Sequence, residues 1–207
     1  MIRLCNFYRK LIYKSRYWLY FIVALAIVWA VFAFVLAISF PATYPAFIGF
    51  LGETFGKILG DSDPDQKFEL AKVLFKQNFI ASFLDVAFGI VFGLVSVISI
   101  TVNFFALGFL SAPAIAPQVF GTESVSLLVF IIAILPHGIF EIPAIFLSAA
   151  FGMRIGWYWL LPSSSGKRRK VLKDSIFDSL KILPLVFVLL IIAALVESYV
   201  TGWIIGF

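Results

Sequence analysis

Cysteine and histidine are nearly absent, with one of each, Cys5 and His137, in 207 residues. A lone thiol excludes an intrachain disulfide and an all-cysteine metal site. Set in a basic leader, Cys5 reads as a free thiol, with S-acylation the alternative. A single histidine leaves any zinc centre to be completed by carboxylates or by a second subunit. HExxH, GxSxG and Walker motifs are missing, and neither a nucleophile nor a second histidine accompanies His137. These absences argue against catalysis, and no cofactor is expected. Charge is scarce as well, at 13% of residues.

What is present is apolar. The chain is 62% hydrophobic and 18% aromatic, with 25 Phe and a mean hydropathy of +1.07. This composition is that of an all-α, polytopic helical membrane bundle. The net charge of +5 is concentrated beside apolar segments. Cations placed there set topology and attract anionic lipid headgroups, so lipid is the expected partner and nucleic acid is not. Residues 1–17 carry Arg3, Arg9, Lys10, Lys14 and Arg16 without an acid, interleaved with Leu4, Phe7 and Leu11. They form a basic amphipathic leader on the cytoplasmic surface. No cleavable signal is expected, because the apolar run of residues 18–40 is too long for one.

Residues 18–207 read as a single membrane domain. A first span covers 18–40 and ends at Pro41 and Pro45. An outer helical loop follows over 43–77, with Gly49, Gly52, Gly56 and Gly60 at helical spacing and Asp63-Pro64 as cap and first turn of a surface helix. Its acids balance its lysines, unlike a cytoplasmic loop. Residues 78–110 are one long apolar run, roughly 50 Å as a single helix, so it must tilt, project or break. Its polar and small residues Asn78, Ser82, Asp85, Gly89, Gly93, Ser96, Ser99 and Asn103 share one helical face. Gly89 and Gly93 allow close approach of another helix. Residues 125–135 are too short to span alone and lead into 139–161, where Ala144, Ser148, Gly152 and Gly156 repeat every fourth position. The final span, 182–205, carries Glu197.

The leader and the cluster at Lys167, Arg168, Arg169, Lys170 and Lys173 are cytoplasmic by charge, which places the N-terminus inside and the C-terminus outside. An odd number of crossings then joins residue 77 to residue 162. One crossing over 79–110 with a broken or re-entrant helix pair at Pro136–Gly138 satisfies this. Three crossings, with a turn near residues 100–103, satisfy it too. The short 125–135 segment favours the broken pair.

The centre of the chain is Pro136-His137-Gly138-Ile139-Phe140-Glu141, followed by Pro143, inside an apolar run. Titratable groups at membrane depth are expensive and face protein or a wet cavity. His137 and Glu141 are four apart and share a face if the backbone is helical. With Glu197, Asp85, Asn103 and Asn78 they form the candidate polar centre. One reading is a buried structural network. The other is a proton- or metal-linked His137–Glu141 pair completed by Glu197 or Asp85, with His137, Glu141 and Glu197 the candidate ligands should a metal bind. Pro136, Gly138 and Pro143 are the helix-break candidates; Gly89, Gly93 and Gly152 are the packing ones.

The run from Leu135 to Ala144 resembles the signature of the stage II sporulation protein M family of integral membrane proteins. Asn78, Gly89, Gly93, Asn103, Gly108 and Glu197 also stand where that family has comparable residues, over roughly residues 70–203. Phe104 after Asn103 departs from the family's Asn-Gly pair, and the leader and outer loop are this chain's own. The resemblance implies a five-span fold. It also implies a scaffold that gathers peptidoglycan-degrading partners in spore formers, although many members belong to organisms that make no spores, archaea included.

The function expected from all this is a non-catalytic scaffold or regulator that organises other proteins in the cytoplasmic membrane, itself a possible homo-oligomer. A small-solute or ion channel or carrier built on a midplane His/Glu site is the alternative. An intramembrane metal-dependent enzyme stands behind both.

Overall fold

A computed structural model describes residues 2–59, 67–121, 124–161 and 164–201; within these, the side chains of residues 2, 55, 57–59, 137, 200 and 201 lie outside the description. The helices are α1 (Ile2–Lys14), α2 (Arg16–Ser39), α3 (Tyr44–Leu59), α4 (Lys67–Ala87), α5 (Leu94–Ile115), α6 (Pro117–Phe120), α7 (Leu127–Trp157) and α8 (Arg168–Val196). A short 3-10 turn at Pro41–Thr43 follows α2, and a π-helical turn, Glu197–Thr201, continues α8. No strand occurs among the described residues. Four helical segments are long and apolar enough to cross a bilayer: Arg16–Ser39, Leu94–Ile115, Gly138–Trp157 and Arg168–Tyr199. The protein is an all-α membrane bundle.

Two expectations need correction. The residue 136–138 region does not break the chain: α7 is continuous from Leu127 to Trp157, with Pro136 and Pro143 inside it. A proline in a helix forfeits one backbone bond, but opening the helix in an apolar medium would strand several peptide groups at once. Continuity is the cheaper outcome. Gly138 marks no close approach either, since a Cβ there would meet only Ile134 and Ile142 of its own helix, at 3.6 Å. At 31 residues α7 measures about 46 Å, longer than the apolar thickness of a bilayer.

The break lies instead inside the run read as one span over 79–110, and not at 100–103. Turns at residues 88–93 separate α4 from α5. Phe92 and Gly93 both adopt left-handed backbone, with φ of 52° and 63°. Glycine takes that conformation freely, whereas phenylalanine must be held in it. Trp157 holds it, its indole Nε1 donating to Phe92 O at 2.6 Å. The chain therefore reverses against the end of α7. α4 runs parallel to α7, and α5 returns antiparallel to it.

α7 packs against α2, α4, α5 and α8. On one side, Ile145, Ala149 and Met153 meet Ile22 and Ala26 of α2 and Ile100 and Phe104 of α5. On the other, Ala144, Leu147 and Phe151 meet Ile182, Val186 and Leu190 of α8, with Leu11 of the leader buried among them. α2 lies along α5 so closely that a Cβ on Gly108 would strike the backbone of Ala30. α3 closes the far end, Tyr44 stacking on Phe109 with ring centroids 5.9 Å apart. Its glycines Gly49, Gly52 and Gly56 have no neighbour within 4 Å, so they are not a packing stripe here. The expected Asp63-Pro64 helix start and Gly60 lie outside the described residues.

Candidate functional site

The site is a polar seam between α4, α5 and α7, and its scaffold is the small-residue ladder of α7. Ala144, Ser148, Gly152 and Gly156 are all buried. A Cβ on Gly89 would lie 2.5 Å from Gly152 O, and one on Gly156 would meet Gly89 O and Gly93 N. Backbone touches backbone here, which only glycine permits. That contact fixes the registry of α4 on α7, and two polar pairs repeat it.

Asn78 Nδ2 donates to Glu141 Oε1 at 2.9 Å, and Ser148 Oγ donates to Asp85 Oδ2 at 3.1 Å, each pair 63 residues apart. Gly89 meets Gly152 at the same offset. Asn78 and Glu141 are partly buried, whereas Asp85 is 1% exposed. The π-helical turn after α8 brings Glu197 beside Glu141, close enough for the two carboxyls to feel each other's charge. Glu141, Asn78 and Glu197 thus gather at one level of the bundle and Asp85 at another.

Asn103 stands apart from this buried set. It is exposed, and its amide donates to Ser99 O of its own helix at 2.8 Å. Phe104 takes the inward position, stacking on Phe146 at 5.1 Å. Asn103 and Glu141 nonetheless line the same lateral cleft between α5 and α7, about 190 Å³, whose other walls include Leu107, Ile134 and Ile142. His137 sits in α7 four residues before Glu141. Its side chain is outside the described residues, so a His137–Glu141 contact is too. Among the described residues no three acids, histidines or cysteines come together as metal ligands.

A charged cluster at the other end of α7 was not expected beyond its contribution to a basic loop. Arg154 is 1% exposed. Its Nη2 pairs with Asp178 Oδ2 at 3.0 Å, and its Nη1 donates to Ser15 Oγ at 2.9 Å. Lys14 also pairs with Asp178. The leader is thereby tied to α7 and α8 at the hinge between α1 and α2. The only signal in the sequence was an arginine near the end of an otherwise apolar helix; Asp178 stands in a mixed segment with Lys173, Asp174 and Lys181 and gave none.

The family model of Stage II sporulation protein M matches residues 19–202. The chain belongs to that family. It is similar to an uncharacterized protein of Methanocaldococcus jannaschii, 33% identical over 145 residues, covering 70% of this chain and 78% of that protein. A second uncharacterized protein of the same organism is 37% identical over 114 residues, 54% of this chain and 48% of its own length. No solved structure matches. The family match includes the α4–α5 hairpin, all of α7 and Glu197, so the seam lies wholly within the part shared with the stage II sporulation protein M family.

Proposed function

We propose that this protein is a scaffold of the cytoplasmic membrane that organises partner membrane proteins and is not itself catalytic. The observation that carries this reading is the cleft between α5 and α7. It presents Asn103 and an edge of Glu141 among apolar walls on the flank of the bundle. An amide and a carboxyl facing hydrocarbon are costly, and a neighbouring helix that bonds to them removes the cost. A partner helix with a small polar side chain suits both the width and the chemistry of the cleft.

The proposed topology has five crossings, N-terminus inside and C-terminus outside, with α4 as the least apolar of the five. The direction of the helices supports it: α2, α5 and α8 run one way, α4 and α7 the other. The leader and residues 167–173 then face the anionic headgroups of the inner leaflet.

Co-purification from native membranes tests the scaffold reading. N103L and E141Q variants that keep the wild-type melting behaviour should lose the same membrane partners. An unchanged partner set in both sinks it. A second reading, an ion or small-solute carrier, is favoured by the neighbouring carboxyls of Glu141 and Glu197, since paired acids in a bundle are a means of binding a coupling ion. Flux into proteoliposomes that E141Q abolishes would replace the scaffold with the carrier.

A further inference from the structure

Asn103 is only half matched in a single copy of the chain. It lies nine residues from the first residue of α5 and twelve from the last, so its Cα is about 14 Å from one end of the helix and about 18 Å from the other. That is the middle of the apolar layer, out of reach of either headgroup region for so short a side chain. A carboxamide does not ionise, so no proton can relieve it as one relieves a carboxyl. Only a hydrogen-bond partner can.

Part of that need is met within the helix. Nδ2 carries two hydrogens, and one is given to Ser99 O at 2.8 Å. Among the described residues Asn103 makes no other hydrogen bond. One N–H and the carbonyl Oδ1 are left, side by side on a planar group. A donor and an acceptor so placed are the complement of a second carboxamide.

The bundle brings nothing to meet them. α5 packs on α2, α4 and α7, and the face it leaves open carries Ile98 and Val102, both exposed. Asn103 stands where that face meets the α5–α7 cleft, with Ala106 beside it in the cleft wall. Alanine keeps the surface low next to the amide, so another backbone can come near.

Depth selects the partner. The basic segments give every copy the same orientation in the membrane, and a two-fold axis along the bilayer normal sets each residue opposite its own image. A second copy therefore brings an amide to the same depth by symmetry. An unrelated helix must supply a polar side chain of matching chemistry at that one level, and an acyl chain supplies none.

We propose that this chain forms a two-fold homodimer along α5, in which the Asn103 carboxamides of two copies bond to each other at mid-membrane. The same contact covers Ile98 and Val102 and lays each α5 along the mouth of its partner's cleft. The pairing rests on the docking role proposed for this flank, and gives that role first to the chain's own helix.

The test uses the purified full chain in liposomes of phosphatidylcholine and phosphatidylglycerol, diluted in lipid until chance encounters are rare. Fluorophore-tagged protein counted by photobleaching should be dimeric, and Asn103→Leu should weaken dimerisation by about tenfold. In a Cys5→Ser background, Ala106→Cys should form an intermolecular disulfide on mild oxidation and lose it when Asn103→Leu is added. Val188→Cys, exposed on α8, should form none. If Asn103→Leu fails to fold, the two cysteines decide without touching the amide. A monomeric wild type overturns the proposal. So does a dimer that Asn103→Leu leaves intact, or one that Val188→Cys traps as readily as Ala106→Cys. A monomer whose Asn103→Leu variant still loses its co-purifying partners would give the site to a different protein and leave the docking role standing; a monomer whose partners are unchanged would remove both.

Discussion

Asn78 and Glu141 are joined across α4 and α7 by a 2.9 Å hydrogen bond, in the same registry that sets Asp85 on Ser148 and Gly89 on Gly152. One alignment of two parallel helices therefore accounts for polar pairs and backbone contacts alike. Substitutions on either side of it have unequal consequences, and those inequalities are measurable.

Glu141→Leu should destabilise the detergent-solubilised protein by about 1–3 kcal/mol, because it leaves the Asn78 amide without its acceptor. Glu141→Gln keeps an acceptor and nearly the same shape, so it should cost less. Thermal melting in one detergent compares them; equal losses would mean that the Asn78 bond contributes nothing to the difference.

Three glycines should respond differently to alanine. At Gly152 the new methyl strikes the Asp85 carbonyl, and at Gly108 it strikes the Ala30 backbone. Overpacking of this kind costs about 1–3 kcal/mol. At Gly56 nothing lies within 4 Å, and alanine should stabilise by up to about 1 kcal/mol through helix propensity. Melting temperatures in the order Gly56→Ala, wild type, Gly108→Ala or Gly152→Ala, highest first, are expected. Gly152→Leu should likewise be worse than Phe151→Leu.

Breaking a buried ion pair from one side strands the other charge. Asp178→Asn and Arg154→Ala should each cost about 3–5 kcal/mol. Arg154→Lys should recover little, as an ammonium cannot reach Asp178 and Ser15 together in the geometry of the guanidinium fork. Trypsin reports the leader separately: cleavage after Lys14 should accelerate in Asp178→Asn.

Single cysteines in a Cys5→Ser background test the topology. Membrane-impermeant labelling of intact cells should reach F50C and V119C and spare I90C and S165C. The one-crossing arrangement with a broken pair puts residue 119 inside, so protection of V119C together with labelling of F50C would restore it.

Class and seam were legible in the sequence, because hydropathy and a fourfold small-residue repeat are local properties. The polar stripe from Asn78 to Ser99 was legible too, but as the face of one helix. It belongs to two. Because both arms of the hairpin lean on α7, residues before and after the turn face the same partner, and the phase of the stripe survives a reversal of the chain. Gly89 and Gly93 were the only turn signals, and they read equally well as packing glycines. Pro136 and Gly138 misled in the opposite direction: strong breakers by propensity, they sit inside a continuous helix because an apolar medium penalises stranded peptide groups more. Asn103 was placed inward by periodicity; the bulk of Phe104 takes the inner position and turns the amide to the cleft. The Arg154–Asp178 pair could not be read, since nothing local aligns residues on antiparallel α7 and α8.

The backbone contacts of Gly89 and Gly93 with Gly152 and Gly156 also impose an order of events. A chain grows from its N-terminus, so α4 and α5 leave the ribosome before any of α7 exists. The hairpin turn, with its left-handed Phe92 waiting for Trp157, then has nothing to lean on. The buried carboxyl of Asp85 has no serine from α7 to meet it. The α4–α5 turn and the registry of α4 thus wait until α7 has been made and inserted, whereas α2, α3 and α5 already have one another to pack against.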